Sequence, residues 1–432
     1  MNIIRYAVIC LMSVVAMHGQ PDYFPSRTDS TWARVSLEEL GWDRSAVDSL
    51  VSYARTTLSN SVIVLVNGRI AIEWYAEDRT AASTWYWASA GKSVTAALVG
   101  AMVQEGRLSL SDPVSKYLGT GWTSLSKEQE DRITVWHQIT MTSGLDDGVS
   151  DRDCTRPECL VYKADAGTRW AYHNAPYTIL DRVIEAASGE TFQAVLRRVL
   201  LEPTGMTGRF IAMGDNNVMW SNARSMARYG LLALRGFVWD GKPVLSDTAY
   251  GNAMIRPSQK LNPAYGYLWW LNGQASYKVP YFQINFPGPI MSDAPPDAFN
   301  ALGKNNQFIS VSPSMNIVMV RTGDNPDSLI PGQDVAWTQA NTMWKILRSA
   351  MRPTSVPADE RQTIVSGNTV TAPDIIDRCT ITSITGRQTL VVGGNARTLE
   401  LPGLAPGVYM LRIEAGGRTV NRTWMCGSTT IR

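Results

Sequence analysis

Ser89-Ala90-Gly91-Lys92 sets a hydroxyl three residues ahead of an amine. A serine hydroxyl is a weak nucleophile until a base removes its proton. On a helix, positions i and i+3 share a face, so a helix opening at Ser89 would fold the Lys92 side chain back onto that hydroxyl. The free N–H groups and positive dipole end at a helix start would favour a developing oxyanion. A lysine enclosed by protein loses its proton more readily and can act as a base. The spacing recurs at Ser124 and Lys127. No apolar helix follows that copy, which reads as a solvated loop.

Tyr172-His173-Asn174 supplies a second set. A phenol beside a lysine can relay a proton, and an amide two residues on can hold both the lysine and a substrate carbonyl. Tyr250-Gly251-Asn252 matches the same pattern. Tyr172 is preferred because it follows a polar turn, Asp165 to Arg169, and precedes a helix. A third wall is expected from Ala301-Leu302-Gly303-Lys304, which leads into a strand. A backbone N–H there, that of Lys304, could complete an oxyanion hole with the N–H of Ser89. Other hydrolase layouts do not fit. No Gly-x-Ser-x-Gly elbow occurs. A Ser-His-Asp triad could draw only on His137, read as a core histidine, or on His173, read as lining the cleft. Trp85, Trp87 and Trp170 flank the proposed residues and are expected to wall the pocket.

These residues need elements to position them. Ser61 to Tyr75 reads as a β-hairpin turning at Asn67-Gly68. A helix is expected from about Ser89 to Glu105, with apolar residues at helical spacing and Gly106 at its end. Further helices are expected over Tyr177 to Ala187, Phe192 to Leu200, Ser225 to Leu234 and Trp337 to Ala350. Strands are expected over Gln307 to Val311 and Ile317 to Thr322. Strands at both ends with helices between predict an α+β domain: an antiparallel sheet flanked by helices, with a helical subdomain inserted. Residues 353–373 read as a linker, and 374–432 as a small all-β module.

The chain has 432 residues, 44% hydrophobic and 18% charged, and a net charge of +2. That balance asks for neither nucleic acid nor an anionic membrane as partner. Residues 1–20, with Arg5 ahead of an apolar Ala7 to Met17, read as an export signal too short to span a bilayer. No transmembrane segment is expected in the mature chain. Export permits disulfides. Four cysteines remain after the signal, and Cys154–Cys159 with Cys379–Cys426 is the simplest of three connectivities. No metal site is expected, because no His-Glu-x-x-His and no Cys/His cluster of zinc spacing occurs. No cofactor is called for.

From about residue 35 to 350 the chain resembles the serine β-lactamase-like, penicillin-binding-protein-like family. Class C β-lactamases, D-alanyl-D-alanine carboxypeptidases, family VIII esterases and 6-aminohexanoate-dimer hydrolases are among its members. The matching motifs run in order: Trp87-Ala88-Ser89-Ala90-Gly91-Lys92-Ser93, Met141-Thr142-Ser143-Gly144-Leu145, Gly167-Thr168-Arg169-Trp170-Ala171-Tyr172-His173-Asn174, Glu202-Pro203-Thr204-Gly205-Met206, and Ala227-Arg228-Tyr229-Gly230. The resemblance implies the β-lactamase/transpeptidase-like fold and a serine acyl-enzyme. Ser89 would be nucleophile, Lys92 and Tyr172 the base and acid, and Asn174 a support for Lys92 and substrate. The family's third motif usually begins with Lys or His, where this chain has Ala301. That departure leans toward an ester or linear amide rather than a β-lactam or D-Ala-D-Ala peptide. A non-catalytic cell-envelope binding protein on the same fold is the alternative of another class. At the C-terminus, Thr385-Gly386-Arg387 and Leu401-Pro402-Gly403-Leu404-Ala405-Pro406-Gly407-Val408-Tyr409 resemble a type IX secretion sorting domain. This implies partnership with that machinery and a secreted or cell-surface product.

Overall fold

The computed structural model describes residues 22–325, 336–351 and most of 364–426. The expected export signal and the first part of the expected linker lie outside the described residues. The chain divides into two compact units, residues 1–352 and 353–432.

In the larger unit, helix α1 (Arg44–Thr56) leads into strands β1 (Ser59–Val66) and β2 (Arg69–Tyr75). Asn67 and Gly68 both take positive φ, 49° and 80°, the mark of a two-residue type I′ turn. A long helical insert follows, including α2 (Lys92–Gln104) and α3 (Ala223–Leu234). The chain then returns as β3 (Trp270–Leu271), β4 (Phe299–Gly303), β5 (Gln307–Ser312), β6 (Ile317–Gly323) and helix α4 (Trp337–Ala350). These strands form one antiparallel sheet in the order β2-β1-β6-β5-β4-β3. Both ends of the domain therefore build the sheet, as expected.

Helices cover both faces. Trp344 of α4 donates its indole N–H to the Ser310 hydroxyl of β5 at 2.7 Å. Gly230 of α3 lies so close to the sheet that a Cβ there would meet Val318 at 2.4 Å and Ile309 at 2.8 Å. Ile309 and Ser310 are neighbours on one strand and so point to opposite faces. Burial on both sides explains why β1 reads as an unbroken apolar run instead of an alternation. Helix α2 is buried almost all round from Lys92 to Met102, so it forms the centre of the unit rather than its surface.

The smaller unit is all-β in its described residues. Ile364–Ser366, Thr369–Thr371 and Thr398–Glu400 form one antiparallel sheet; Thr389–Gly393, Ile376–Ser383, Gly407–Ala415 and Arg418–Cys426 form another. Two expectations need correction. Part of the expected linker is strand: Ile364–Ser366 pairs with Thr369–Thr371, which pairs in turn with Thr398–Glu400. Cys379 and Cys426 are buried free thiols, not a disulfide. Cys379 sits level with Ile413 and Cys426 level with Gly407, six residues along the intervening strand. That offset is about 20 Å, far beyond what a disulfide spans. The other pair, Cys154–Cys159, is bonded.

Candidate active site

Ser89 stands in a short 3-10 turn, Ala88–Gly91, that runs directly into α2. Ala88 holds φ at +48°, a conformation that costs a non-glycine residue about 1–3 kcal/mol. The turn is held in place by Trp87, whose backbone N–H donates to Met219 O at 2.8 Å and whose indole N–H donates to the Ser221 hydroxyl at 2.7 Å. One helical turn on, the Lys92 amine donates to Ser89 Oγ at 2.8 Å. Lys92 is 4% exposed. Its amine lies 4.5 Å from the Tyr177 ring centroid and 5.2 Å from that of Tyr172. Burial lowers its pKa to about 7, against an opposing pull from the Asp153 carboxylate. Both possible decoys do other work. Ser124 bonds Leu160 O while Lys127 pairs with Asp131 at the surface, and the Tyr250 hydroxyl is tied to Ala96 O.

Tyr172 lines the same cleft as the serine. Burial raises its pKa well above the usual phenol value, so it is a neutral O–H. Its ring stacks on Trp270 with centroids 5.6 Å apart, which fixes its approach to the cleft. Asn174 begins a short helix, Asn174–Thr178, and gives its amide N–H to Asp153 at 2.8 Å.

Gly303 ends β4 against the Ser89 turn. A Cβ there would lie 2.5 Å from Trp87 O and 3.0 Å from Ser89 N. Only glycine lets the strand end lie beside the N–H of Ser89. Lys304 follows, exposed at the cleft. Its turn is anchored from behind by Arg321, a fully buried guanidinium that donates to Asn305 O at 2.6 Å, Thr57 O at 2.8 Å and Asp324 O at 2.6 Å. The whole arrangement opens onto a cleft of about 710 Å³ that Ser89, Lys92, Tyr172, Asn174, Gly303 and Lys304 line together. It brings a hydroxyl, a buried amine and a phenol into one cleft, with the Ser89 backbone N–H beside the end of β4, a set whose chemistry suits acyl transfer.

The expected pocket walls are not the observed ones. Trp87 and Trp170 are buried supports at 0% and 1% exposure. Trp85 turns away, with Arg79 over its ring at 5.1 Å and its N–H on Gly323 O. His173 points into the protein, as the alternation Tyr172-His173-Asn174 in extended backbone requires, and is 2% exposed. None of these four lines the cleft. Its aromatic walls are Tyr86, Tyr172, Tyr177 and Tyr281. Asp151, Arg152 and Asp153 also line it, and no sequence motif marks them. Their one signal was position, immediately before Cys154. Asp151, Cys154 and Asp215 bring one ligand atom each within 4.8 Å of one another. The sulfur is committed to its disulfide, which leaves two carboxylates and no metal centre there.

Residues 47–323 match the family model "Beta-lactamase". An uncharacterised protein of Alkalihalophilus pseudofirmus is 22% identical over 300 residues, covering 60% of this chain and 82% of its own. Esterase EstB of Burkholderia gladioli is 30% identical over 142 residues, 28% of this chain and 36% of its own. That match spans only about a third of the esterase. Among solved structures, a putative beta-lactamase from Bacteroides dorei superposes with a TM-score of 0.57 at 16% identity, covering 72% of this chain and 99% of that one. The fold is the β-lactamase/transpeptidase-like α+β fold. A model match across more than half of the chain, carried on this architecture, makes the chain a member of the beta-lactamase family.

Proposed function

We propose that the protein is a secreted serine hydrolase that cleaves an ester or linear amide through an acyl-enzyme on Ser89. The observation that carries the reading is the 2.8 Å contact between the Ser89 hydroxyl and a buried Lys92 whose pKa lies near 7. A neutral Lys92 takes the hydroxyl proton as Ser89 Oγ bonds to the substrate carbonyl carbon. The backbone N–H groups of Ser89 and Lys304 hold the resulting oxyanion. As the carbonyl re-forms, the bond to the leaving group breaks and that group takes a proton, relayed from Lys92 through the Tyr172 hydroxyl. Water then attacks the acyl carbon and gives its proton to Lys92, which passes it to Ser89 Oγ as that oxygen leaves, so the acid and free Ser89 are released. Lys92 is favoured as base over Tyr172 because burial makes the amine easier, and the phenol harder, to deprotonate.

The substrate class rests on two supports. Ala301 sits inside the sheet at 1% exposure, so no cation stands at that position to meet a substrate carboxylate. One relative is named an esterase. Export, with the type IX machinery as partner, rests on the N-terminal apolar stretch, the C-terminal motifs and the Cys154–Cys159 bond.

A fluorophosphonate should label the wild type and not Ser89→Ala, and p-nitrophenyl ester turnover should vanish in that variant. The kcat/KM profile should rise with pH through about 7 as Lys92 loses its proton. Full turnover in Ser89→Ala would overturn the reading.

A further inference from the structure

The loop of residues 149–153 forms one side of the cleft, and two bonds tie it to the helix that starts at Asn174. Arg152 O accepts from the Ala175 backbone N–H at 3.1 Å. The Asp153 carboxylate accepts from the Asn174 side-chain amide at 2.8 Å. Immediately after Asp153, Cys154 is wholly buried and bonded to Cys159. The carboxylate is therefore fixed at both ends of its short stretch.

A carboxylate only accepts, so it selects one end of the Asn174 amide. With Nδ2 turned to Asp153, the other atom, Oδ1, is left as an acceptor. That oxygen is buried and has no partner among the described residues. An unpaired buried oxygen in a cleft is poised for an N–H donor that arrives with the substrate or with the lysine. Lys92 is faced by the Ser89 hydroxyl, by the Tyr172 and Tyr177 rings and by the field of Asp153. Asp181 acts on Tyr177 from behind. Asp151, Arg152 and Lys304 line the same cleft. Of these charges, Asp153 is the one that acts on Lys92.

We propose that Asp153 is a positioning residue for the reaction, aiming the Asn174 amide and placing a negative charge in the same cleft as the Lys92 amine. It rests on the hydrolase reading above. Without Asp153, Asn174 is free to flip its amide, and Lys92 loses the charge that favours its ammonium form. The carboxylate thus sets both the direction of one acceptor and the pH at which the base becomes active.

The test is the pH profile of kcat/KM for a p-nitrophenyl ester, in the full chain, for wild type, Asp153→Asn, Asp153→Ala and Asp153→Glu. Asp153→Asn keeps an acceptor for Asn174 and removes the charge. Its acid limb should move to lower pH by about one unit, as loss of a nearby opposite charge does. Asp153→Ala removes the acceptor as well and should also lower kcat about tenfold. Asp153→Glu restores the charge and should return the limb toward the wild-type position. A merely structural aspartate would lower Tm or kcat and leave the limb where it is. An active wild type whose limb does not move in Asp153→Asn overturns the proposal alone. A wild type without esterase or amidase turnover overturns the hydrolase reading instead. Should Asp153→Asn not fold, Asp153→Ser carries the same comparison.

Discussion

Burial lowers the pKa of both Lys92 and His173, and the two shifts serve different ends. For Lys92 the shift yields a base able to work near neutrality. His173 lies between Tyr172 and Asn174 yet faces inward, and neither ring nitrogen has a partner among the described residues. Desolvation lowers its pKa from 6.5 to about 4, with Arg152 and Arg169 helping and Asp146 and Asp147 opposing. The unfolded chain therefore binds a proton between pH 6.5 and 4 that the folded chain does not. Stability is full above the unfolded pKa and falls as pH drops toward the folded one. The loss approaches about 3 kcal/mol at the acid end. His173→Gln removes the titration. Thermal melts at pH 7.5 and pH 4.5 should show a smaller Tm drop in that variant than in the wild type. Parallel drops would show that another group carries the acid sensitivity.

At the scale of elements, the cleft depends on how closely β4 approaches the Ser89 turn. Gly303→Ala places a methyl 2.5 Å from Trp87 O and 2.9 Å from Ala90 N, both backbone atoms. The strand end must retreat, and the Lys304 N–H retreats with it. Overpacking of this kind costs about 1–3 kcal/mol. A displacement near 1 Å can reduce catalysis about a hundredfold. Steady-state kinetics should show kcat falling far more than Tm, with KM changed less. A Gly303→Ala enzyme of normal kcat would separate β4 from the oxyanion site.

Elements with a strong local pattern were legible in advance. The hairpin at Asn67-Gly68, the strand starting at Gln307 and the helix Trp337–Ala350 stand where their periodicity and turn residues put them. The Ser89–Lys92 pair was legible because an apolar helix follows it, which the equally spaced Ser124 and Lys127 lack. Asp153 and Arg321 were not, because their roles depend on partners far away in the chain. Asp153 reaches Asn174 across 21 positions, and Arg321 reaches Thr57 across 264. The tryptophans misled for a related reason. Flanking a proposed catalytic residue in sequence says nothing about which face of an extended segment a side chain takes, and Trp87 and Trp170 took the buried one.

The whole molecule has two hydrophobic cores with no residue in common. One gathers residues between Trp32 and Ala350, the other between Val370 and Cys426. Every residue placed around Ser89, from Tyr86 to Lys304, belongs to the first unit. A chain ending at residue 352 should therefore keep kcat/KM within about twofold of the full chain, since domains with their own cores fold alone. The smaller unit has less to hold it. A domain of this size buries a modest share of its surface and commonly needs a covalent staple. Cys379 and Cys426 do not supply one, standing six residues out of level on either side of the strand Gly407–Ala415. Calorimetry of the full chain should show two transitions, with the smaller unit melting first. Its transition should be indifferent to reductant and absent from the truncated chain. A single transition, or a truncated protein that folds but turns over no substrate, would show that the small module supports the catalytic unit.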